Sequence, residues 1–467
     1  MPDPQLEPRR DLTVTHATSL VVGIAIGTGV FLKSAQMAQA VGTPALLLGA
    51  WVAAGLVALL ASLCFAELGA MLPDAGGEYV YLRAAFGEIP GFLYACNSFV
   101  LGGASIAAYG AAVAIFVADI HPLREAWVAV NLDVNGVVHT LGFGPRQLIA
   151  VGVIALFAAI NCAGVMFGGR VQTLLTAIKV LAILGVAGGV FLFSRSGDTA
   201  NLAAPPGSAS GGLAGFGAAM FAALWAYSGW QYVAMAASEV REPQRTLPRA
   251  IVGGTLLVMA IYLTVNTAYL WALPYWQVSS ANSTAYPDAP SVAARAVQTF
   301  LGPRAIAVAA LIFLVSTVGS LNGTILTRAR VSYAAARDGL FFARFARLSP
   351  HTRVPVTSLV LTCLWGAVLA LSGTFEQLTN MAVMSYTLFW IPVTLALIVL
   401  RRRAPAAPRP FRVPGYPLVP LLVALVMAWI AVSALIVTPR ESLATIVLIL
   451  LGLPLYPWFR RRRTQPR

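Results

Sequence analysis

Charged residues are scarce in this 467-residue chain: only 10% are Asp, Glu, Lys or Arg, against about 25% in an ordinary soluble domain. Hydrophobic residues make up 58% of the chain, and the mean hydropathy is +0.79. This composition excludes a soluble globular protein. The net charge of +14 does not indicate a nucleic-acid partner, because the basic residues lie in short loops without interleaved aromatic residues.

Cysteine and histidine are also few, with four of each. The cysteines lie inside apolar runs, without a Cys-x-x-Cys pair or metal-ligand spacing, and are Cys64, Cys96, Cys162 and Cys363. We therefore expect no disulfide framework, no metal site and no cofactor. The histidines are scattered in or near loops, and His-Glu-x-x-His, Gly-x-Ser-x-Gly and Walker motifs are missing from the sequence, so we do not expect an enzyme.

Long apolar runs, in contrast, recur about twelve times. A run of about 20 residues spans a bilayer as a helix, and a spanning segment must be helical because only a helix satisfies its own backbone N–H and C=O groups in lipid. The sequence therefore predicts an all-α integral membrane protein of twelve transmembrane helices. The predicted spans are 13–32, 44–72, 91–118, 148–167, 171–193, 216–240, 251–273, 304–327, 356–372, 378–400, 418–437 and 443–458.

Basic residues are distributed unequally between the two sets of loops. If the N-terminus is cytoplasmic, Lys179 alone lies inside a span and seven basic residues fall outside the cell, namely Lys33, Arg124, Arg146, Arg195, Arg295, Arg304 and Arg440. The other 23 of the 31 fall in the cytoplasm. The positive-inside rule therefore predicts a multi-pass protein of the inner or plasma membrane with both termini cytoplasmic, as a tail of residues 1–12 and a basic tail of 459–467. The first apolar run has no convincing cleavage site, so we expect it to be retained.

Glycine interrupts two spans at matching positions, in Gly23-Ile-Ala-Ile-Gly-Thr-Gly-Val-Phe31 and in Trp225-Ala-Tyr-Ser-Gly-Trp230. Gly27 and Gly229 are 202 residues apart, and shifting spans two to five by 202 brings them close to spans seven to ten. A single glycine cluster would favour close helix packing. Two related clusters predict a five-plus-five inverted repeat with discontinuous helices one and six. The repeats would be 13–193 and 216–400, followed by two extra helices in 418–458.

An unwound stretch in the middle of the membrane exposes N–H groups at the start of one half-helix and carbonyls at the end of the other. The first attract an anion and the second a cation, so a zwitterion such as an α-amino acid fits both. We expect N–H groups of the first break to hold the carboxylate and carbonyls of both breaks to accept the ammonium. The predicted substrate-binding residues are Ala25, Gly27, Thr28, Gly29, Trp225, Ser228 and Gly229.

Lys179 follows Arg170 by nine residues, which places it about 13 to 14 Å into the membrane. Its side chain is too short to reach the interface comfortably, so its ammonium needs an internal partner. We expect it to point at the first break and at Ser316, Thr317 and Ser320 of the eighth span, where it would replace a bound cation. A proton-coupling group, a permanently charged strut and a lysine tilted into the interface remain alternatives.

Three residues are predicted gates. Trp225 begins the second break and would cover the bound substrate, although a packing tryptophan would have the same sequence. Glu67 and Glu239 lie near the cytoplasmic ends of spans two and six. They would form an inner gate with nearby arginines or remain solvated interfacial charges; the candidate arginines are Arg241, Arg245, Arg328 and Arg330.

Residues 13–437 resemble the amino acid, polyamine and organocation transporter superfamily, most closely its L-type amino acid transporter branch. The order and spacing of several segments carry the resemblance: Gly23–Phe31, Ala66–Tyr79, Tyr227–Tyr232, Arg241–Ile251, Ser320–Gly323, Arg337–Leu340 and Arg409–Tyr416. It implies a leucine-transporter-type fold and sodium-independent transport or exchange of amino acids. It also implies a carboxylate site at Gly27, Thr28 and Gly29, an aromatic gate at Trp225 and a substitute cation at Lys179.

The chain departs from the L-type pattern at two site positions. Gln231 stands where that branch has asparagine, and Trp225 where it has phenylalanine, which changes the expected side-chain preference. Residues 119–146 contain no cysteine, so the disulfide to a helper glycoprotein seen in animal members cannot form there, and we expect a single-subunit protein.

These observations predict a sodium-independent secondary transporter, an exchanger of neutral amino acids that works by alternating access. Proton-coupled uptake of amino acids or amines is the alternative within the same class. The missing acidic residues in the proposed pocket spans weigh against a cationic substrate. A channel is disfavoured because the chain has no filter motif and its repeat favours a rocking mechanism.

Overall fold

The computed structural model describes residues 7–121, 123, 127–134, 137–204, 211–283, 285–286, 289–372 and 375–464. Within these residues, ten helical segments are long and apolar enough to cross a membrane. Two shorter apolar helices, Gly212–Tyr227 and Val356–Leu371, accompany them. The prediction of a predominantly helical, multi-pass membrane protein is confirmed. Arg124, Arg467 and residues 1–6, which entered the topology prediction, lie outside the described residues.

The first half of the chain contains seven helices and one hairpin. The helices are α1 (Val14–Ala25), α2 (Gly29–Val41), α3 (Pro44–Met71), α4 (Glu78–Phe86), α5 (Glu88–Ile120), α6 (Pro145–Cys162) and α7 (Val165–Phe193). Between α5 and α6, strand β1 (Val128–Val134) pairs antiparallel with β2 (Val137–Phe143).

The second half contains no strand among its described residues. Its main helices are α8 (Gly212–Tyr227), α9 (Tyr232–Met235), α10 (Pro243–Ala272), α11 (Tyr275–Ser279), α12 (Val292–Leu301), α13 (Ala305–Arg337), α14 (Val356–Ser372), α15 (Phe375–Arg403), α16 (Leu418–Val437), α17 (Pro439–Leu450) and α18 (Tyr456–Thr464).

Several predicted span boundaries are wrong, and local backbone geometry explains the clearest case. The fourth span was expected to run to Phe167, but α6 ends at Cys162 and α7 begins at Val165. Gly164 between them has φ +141°, a conformation that only glycine adopts readily. Conversely, α13 continues ten residues beyond the predicted end at Thr327, because its last turns are buried against neighbouring helices and need no apolar exterior.

Helix α13 lies at the centre of the bundle and packs against α1, α5, α6, α7 and α14. Two of its glycines permit close approach of neighbouring elements. A Cβ atom on Gly319 would lie 2.8 Å from the Nζ of Lys179, and one on Gly323 would overlap Ile24. The small residues of α13 therefore let α1 and α7 meet beside it.

Helix α5 connects two chemically different ends of the bundle. We call the end that contains Arg83, Glu239, Arg330 and Arg401 the arginine-rich end, and the end that contains the β1–β2 hairpin the hairpin end. At the arginine-rich end Leu12 pairs with Val240, next to the start of α1. Helix α2 continues from α1 towards the hairpin end.

Candidate functional site

The first glycine cluster coincides with an interruption between α1 and α2. Ile26 leaves helical geometry with φ −73° and ψ 81°, and the N–H of Gly27 donates to the carbonyl of Ala25 at 2.7 Å. The N–H groups of Thr28, Gly29 and Val30 have no acceptor among the described residues. They are the free N–H groups expected at a helix start, and they point the positive end of the α2 dipole at the break.

The second glycine cluster interrupts the chain between α8 and α9. Ser228 is extended, with φ −75° and ψ 144°, and Gly229 has φ +140°. The hydroxyl of Ser228 donates to the carbonyl of Trp225 at 3.0 Å, and the N–H of Gly229 donates to Oε1 of Gln231 at 2.9 Å. A residue with a Cβ would strain this turn, so the break depends on glycine.

The two breaks are in direct backbone contact. A Cβ on Gly229 would come within 2.5 Å of the backbone nitrogen of Ala25, and one on Gly29 within 2.6 Å of the Cα of Ala226. The hydroxyl oxygen of Tyr262 lies 2.6 Å from the carbonyl of Ala25 and 2.9 Å from that of Ala226. Its single proton serves one of these acceptors at a time, so the crossing retains unused capacity to accept a hydrogen bond.

Lys179 lies directly at the first break and is 1% exposed. Its Nζ donates to the carbonyls of Gly23 at 2.6 Å, Ile26 at 2.8 Å and Ser316 at 2.6 Å. These acceptors use all three ammonium hydrogens. Because the helix stops at Ala25, the carbonyls of Gly23 and Ile26 lack the helical N–H partners they would otherwise have, and the lysine replaces them.

The hydroxyls of α13 complete this arrangement in part. Ser320 donates to the carbonyl of Gly23 at 3.0 Å and Ser316 to that of Ile26 at 2.9 Å. Thr317, the third predicted partner, makes no hydrogen bond to Lys179, and its buried Oγ1 has no partner within the described part of the chain. The prediction of Thr317 as a lysine partner is therefore wrong, because it faces another side of α13.

Trp225 lies over the first break from the side of the hairpin end. Its Nε1–H donates to Oγ1 of Thr28 at 2.9 Å, and its ring lies 5.3 Å from that of Tyr109 and 6.3 Å from that of Phe375, between centroids. Together Tyr109, Trp225 and Phe375 form an aromatic layer, which we call the aromatic roof. Trp225 of this layer contacts Thr28, whose N–H is one of the free N–H groups at the start of α2.

Sequence reasoning missed three tyrosines at the breaks. Tyr109 lies against Gly27, Tyr262 bridges the two breaks, and Tyr386 donates to the carbonyl of Leu224 at 3.2 Å. The available signal was a tyrosine in the interior of an apolar span, because a buried hydroxyl needs a hydrogen-bond partner.

The predicted acidic gate residues are both buried and paired at the arginine-rich end. Glu239 pairs with Arg330 at 3.0 Å, as the sequence suggested. Glu67 instead accepts from Arg401 at 2.8 Å, from the N–H of Val413 at 2.6 Å and lies 3.6 Å from Arg409. The expected set of arginine partners is therefore wrong for Glu67.

The other predicted arginines bind elsewhere. Arg241 pairs with Asp11, Arg245 with Glu242, and Arg328 donates to Tyr232 and Ser105, so none of them reaches Glu67. Arg401 lies in the last turn of α15, and the loop that follows this helix brings Arg409 to the same carboxylate.

Two charged groups were not recognised from sequence. Lys33 was expected outside the membrane, but α2 extends to Val41 and buries it, with 3% exposed, so Lys179 is not the only lysine within a span. Glu78, at the start of α4 and outside the spans, is fully buried. Burial raises the pKa of its carboxyl to about 7, although a hydrogen bond from Tyr94 opposes the shift.

The chain matches the family model described as amino acid permease over residues 12–453. It is 31% identical to the serine/threonine exchanger SteT of Bacillus subtilis (strain 168) over 460 residues, which is 97% of this chain and 98% of that protein. It is 29% identical to the b(0,+)-type amino acid transporter 1 of Homo sapiens over 459 residues, 96% of this chain and 87% of that protein.

Large neutral amino acids transporter small subunit 2 of Mus musculus is 27% identical over 463 residues, 96% of this chain and 80% of that protein. The family and these relatives are transporters and not enzymes, in agreement with the sequence analysis. The chain belongs to the amino acid permease family.

Proposed function

We propose that this protein is a sodium-independent secondary transporter that exchanges amino acids by alternating access. The observation that carries the proposal is the crossing of two helix breaks. Free N–H groups at Thr28, Gly29 and Val30 offer a seat for a carboxylate, and carbonyls at the ends of α1 and α8 accept an ammonium group. The names of the relatives, a serine/threonine exchanger and amino acid transporters, support the same class of substrate.

The ammonium would bind to carbonyls near Ala25, Trp225 and Ser228. Ala25 shares the Tyr262 hydroxyl with Ala226, Trp225 accepts from the Ser228 side chain, and the carbonyl of Ser228 has no donor among the described residues. An incoming ammonium can therefore add to or replace these hydroxyl donors without leaving a backbone group unsatisfied.

Lys179 supports sodium independence. One point beside the break is surrounded by oxygen atoms, namely carbonyl and hydroxyl oxygens of Gly23, Ile26, Ser316 and Ser320. Such oxygens are suitable ligands for a monovalent cation. The lysine ammonium occupies that point and supplies the single positive charge itself. A second cation would be repelled at this distance.

A neutral substrate fits the charges around the crossing. The polar side chains that contact the two breaks belong to tyrosines, serines, threonines, Gln231, Trp225 and Lys179, and no carboxylate contacts either break in the described structure. A cationic side chain would have no counterion there. Whether small or large neutral amino acids are preferred depends on the space beneath Trp225.

The helix order supports the five-plus-five inverted repeat. In the first unit a broken helix, α1 and α2, is followed by α3, the short α4, α5, α6 and α7; in the second, α8 and α9 are followed by α10, the short α11 and α12, α13, α14 and α15. Helices α16 to α18 lie outside the repeat. This assignment supports twelve spans and two repeat units close to the predicted 13–193 and 216–400.

The arginine-rich end would face the cytoplasm, with both termini, in accordance with the positive-inside rule. There the pairs Glu239–Arg330 and Glu67–Arg401 would form the inner gate, and Trp225 would form the cover on the outer side. Residues 119–146, on the outer side, contain no cysteine, which supports a transporter without a disulfide-linked helper subunit.

Exchange can be tested with the purified protein in proteoliposomes. Liposomes preloaded with a neutral amino acid should take up labelled serine or leucine at least about tenfold faster than empty ones, equally in sodium and in choline. Accumulation in empty liposomes driven by an imposed pH gradient would instead support proton-coupled uptake, and non-saturable flux would support a channel.

Gly229→Ala is the informative loss-of-function variant for this test. Its Cβ meets the backbone of Ala25 and its φ is +140°, so exchange should fall to background. Gly253→Ala, in α10 with no atom within 4 Å of the added Cβ, is the matched control and should retain exchange. Normal exchange by Gly229→Ala would contradict the crossed-break site.

A further inference from the structure

A cavity of about 500 Å³ opens at the hairpin end, between the residues that follow α7 and the segment that contains α11 and α12. Most of its lining is polar and comes from Ser196, Gln277, Arg295, Gln298 and Thr299. None of the described residues that line it is acidic. Its volume lies within the range of cavities that hold small organic ligands, and the transport scheme above gives it no role.

Arg295 gives this cavity a fixed positive charge. The side chain is partly exposed, and its Nη1 donates to the carbonyl of Gln277 at 2.7 Å and to the hydroxyl of Ser280 at 2.9 Å. Its Nη2 donates to the carbonyl of Ser280 at 3.0 Å. These bonds hold the guanidinium against the end of α11. A guanidinium has five N–H donors, so two of them are left for a ligand, which is the number that a bidentate phosphate contact needs.

The cavity lies where the apolar surface of the bundle gives way to a polar one. Leu192 and Phe193, the last two residues of α7, are 75% and 67% exposed, and large exposed apolar side chains in a spanning helix face lipid. Ser196 of the cavity follows three residues later. Trp276, which also lines the cavity, is 64% exposed, and such tryptophans are typical of the membrane interface. The polar lining therefore stands at the level of the lipid headgroups.

We propose that this cavity binds the headgroup of an anionic phospholipid from the leaflet at the hairpin end. The phosphate accepts hydrogen bonds from the guanidinium of Arg295, whose planar fork matches its geometry. The acyl chains continue along Leu192 and Phe193 into the bilayer. A free phosphate ion would use the charge of the cavity but not the apolar surface beside it, so the combination of the two favours a lipid.

A lipid in this cavity joins α7 to a segment that is itself attached to α2. The hydroxyl of Tyr275 in α11 donates to the carbonyl of Ala38 at 2.6 Å, and Nε2 of Gln39 donates to the carbonyl of Ser279 at 2.7 Å. Both bonds lie near the end of α2, the helix whose first residues carry the free N–H groups. Occupancy of the cavity therefore steadies α11 and α12 against the outer half of the first broken helix.

The test is hydrogen–deuterium exchange of the full chain in nanodiscs of phosphatidylcholine, with and without phosphatidylglycerol. Phosphatidylglycerol should slow amide exchange in residues 275–280 and 292–301 by about fivefold, the effect of one arginine near an anionic lipid. Residues 145–162 of α6 should show no comparable change. Arg295→Gln should abolish the protection of the first two segments.

Gln298→Glu is the second variant, because Arg295 also stabilises α11 and its replacement could prevent folding. It places a negative charge in the cavity, leaves the bonds of Arg295 to α11 in place and should also abolish the protection. Gln298→Lys should increase it. Arg146→Gln, which removes an exposed arginine at the start of α6 at the same end of the bundle, is the matched control and should retain the wild-type protection.

Equal exchange in the two lipid compositions, or loss of the protection in Arg146→Gln as well, would overturn the lipid site. Inorganic phosphate is the second probe, added to nanodiscs of phosphatidylcholine alone. If it protects residues 275–280 and 292–301 as strongly as phosphatidylglycerol does, the cavity binds a free anion and the lipid site is wrong. The measurement requires no transport, so a wild-type protein that exchanges no amino acids would contradict only the proposed function.

Discussion

The two lysines of this chain, Lys179 and Lys33, have different kinds of hydrogen-bond partner. Both lysines are buried, but Lys179 donates to three backbone carbonyls and Lys33 to two neutral side chains. The reason is the backbone. Carbonyls near Lys179 are freed where α1 stops, whereas α2 is regular around Lys33 and uses its own carbonyls in helical hydrogen bonds. A helix break can therefore solvate a buried charge that an intact helix cannot.

The largest expected effect is that of Lys179→Met. This substitution removes the ammonium donor from the carbonyls of Gly23, Ile26 and Ser316. Serine hydroxyls still donate to these carbonyls, but each lost hydrogen bond from a charged group costs about 1.5 to 3 kcal/mol. We expect a loss of stability of about 3 to 5 kcal/mol and loss of exchange. Thermal unfolding in detergent and exchange in proteoliposomes measure the two effects.

Thr317→Val is the control for Lys179→Met. The threonine is buried in the same stretch of α13 but makes no hydrogen bond in the described structure, so its replacement should change stability by less than about 1 kcal/mol. Wild-type exchange by Lys179→Met would contradict this prediction, because it would show that the lysine is not required for transport.

Glu239 is a buried charge that has a directly bound counterion, Arg330, and it can be compared with the two lysines. Glu239→Gln removes the partner of Arg330, and breaking a buried pair typically costs about 3 to 5 kcal/mol because it leaves one charge uncompensated. The double variant Glu239→Gln, Arg330→Met should recover much of that loss. Thermal unfolding of the single and double variants tests this, and a double variant less stable than either single one would argue against it.

Glu78 is a buried acid that, like Lys33, is incompletely paired: its Oε2 has no hydrogen-bond partner in the described part of the chain. Burial raises its pKa from 4.5 to about 7, so the folded protein keeps a proton that the unfolded chain releases near pH 4.5. Stability should therefore decrease as pH rises from about 4.5 to 7 and level off above that.

Glu78→Gln should remove that decrease, which is of the order of 1 to 3 kcal/mol. The measurement is thermal unfolding at pH 5 and at pH 8 for the wild type and the variant. Glu242→Gln, an exposed glutamate paired with Arg245, is the control and should keep the wild-type difference. An identical pH dependence in Glu78→Gln would show that another group is responsible.

The smallest expected change in stability is that of Lys33→Met, and it is the sharpest contrast with Lys179→Met. Replacing an incompletely solvated charge by an apolar side chain of similar length should be neutral or stabilising, within about 1 kcal/mol. Parallel unfolding experiments on the two methionine variants measure the difference. A loss as large as that of Lys179→Met would mean that the two lysines play the same structural part.

Some features of the site follow from local sequence. The clusters around Gly27 and Gly229 lie at the interruptions of α1–α2 and α8–α9, because a glycine in an apolar run permits an unwound turn. The depth of Lys179 follows from helix rise alone, and the structure brings it to Ser316 and Ser320. These predictions needed no knowledge of how the helices pack.

Other features required the packed helices. Lys33 was placed outside the membrane because the first apolar run weakens after Leu32, yet α2 continues to Val41 and Lys33 is buried beside Phe375 and Thr379 of α15. Glu67 was expected to meet other arginines, since sequence distance gives no sign that Arg401, 334 residues away, reaches its carboxylate.

The sequence by itself determined that this protein crosses the membrane many times, belongs to the amino acid permease family and has glycine clusters where two helices are interrupted. Hydropathy, charge bias and the missing Cβ of glycine act within a few residues, so they can be read along the chain. Only the tertiary structure decided which buried charges are satisfied and which are left open. Hydrogen bonds form within about 3 Å, and that precision depends on how helices distant in sequence pack against one another.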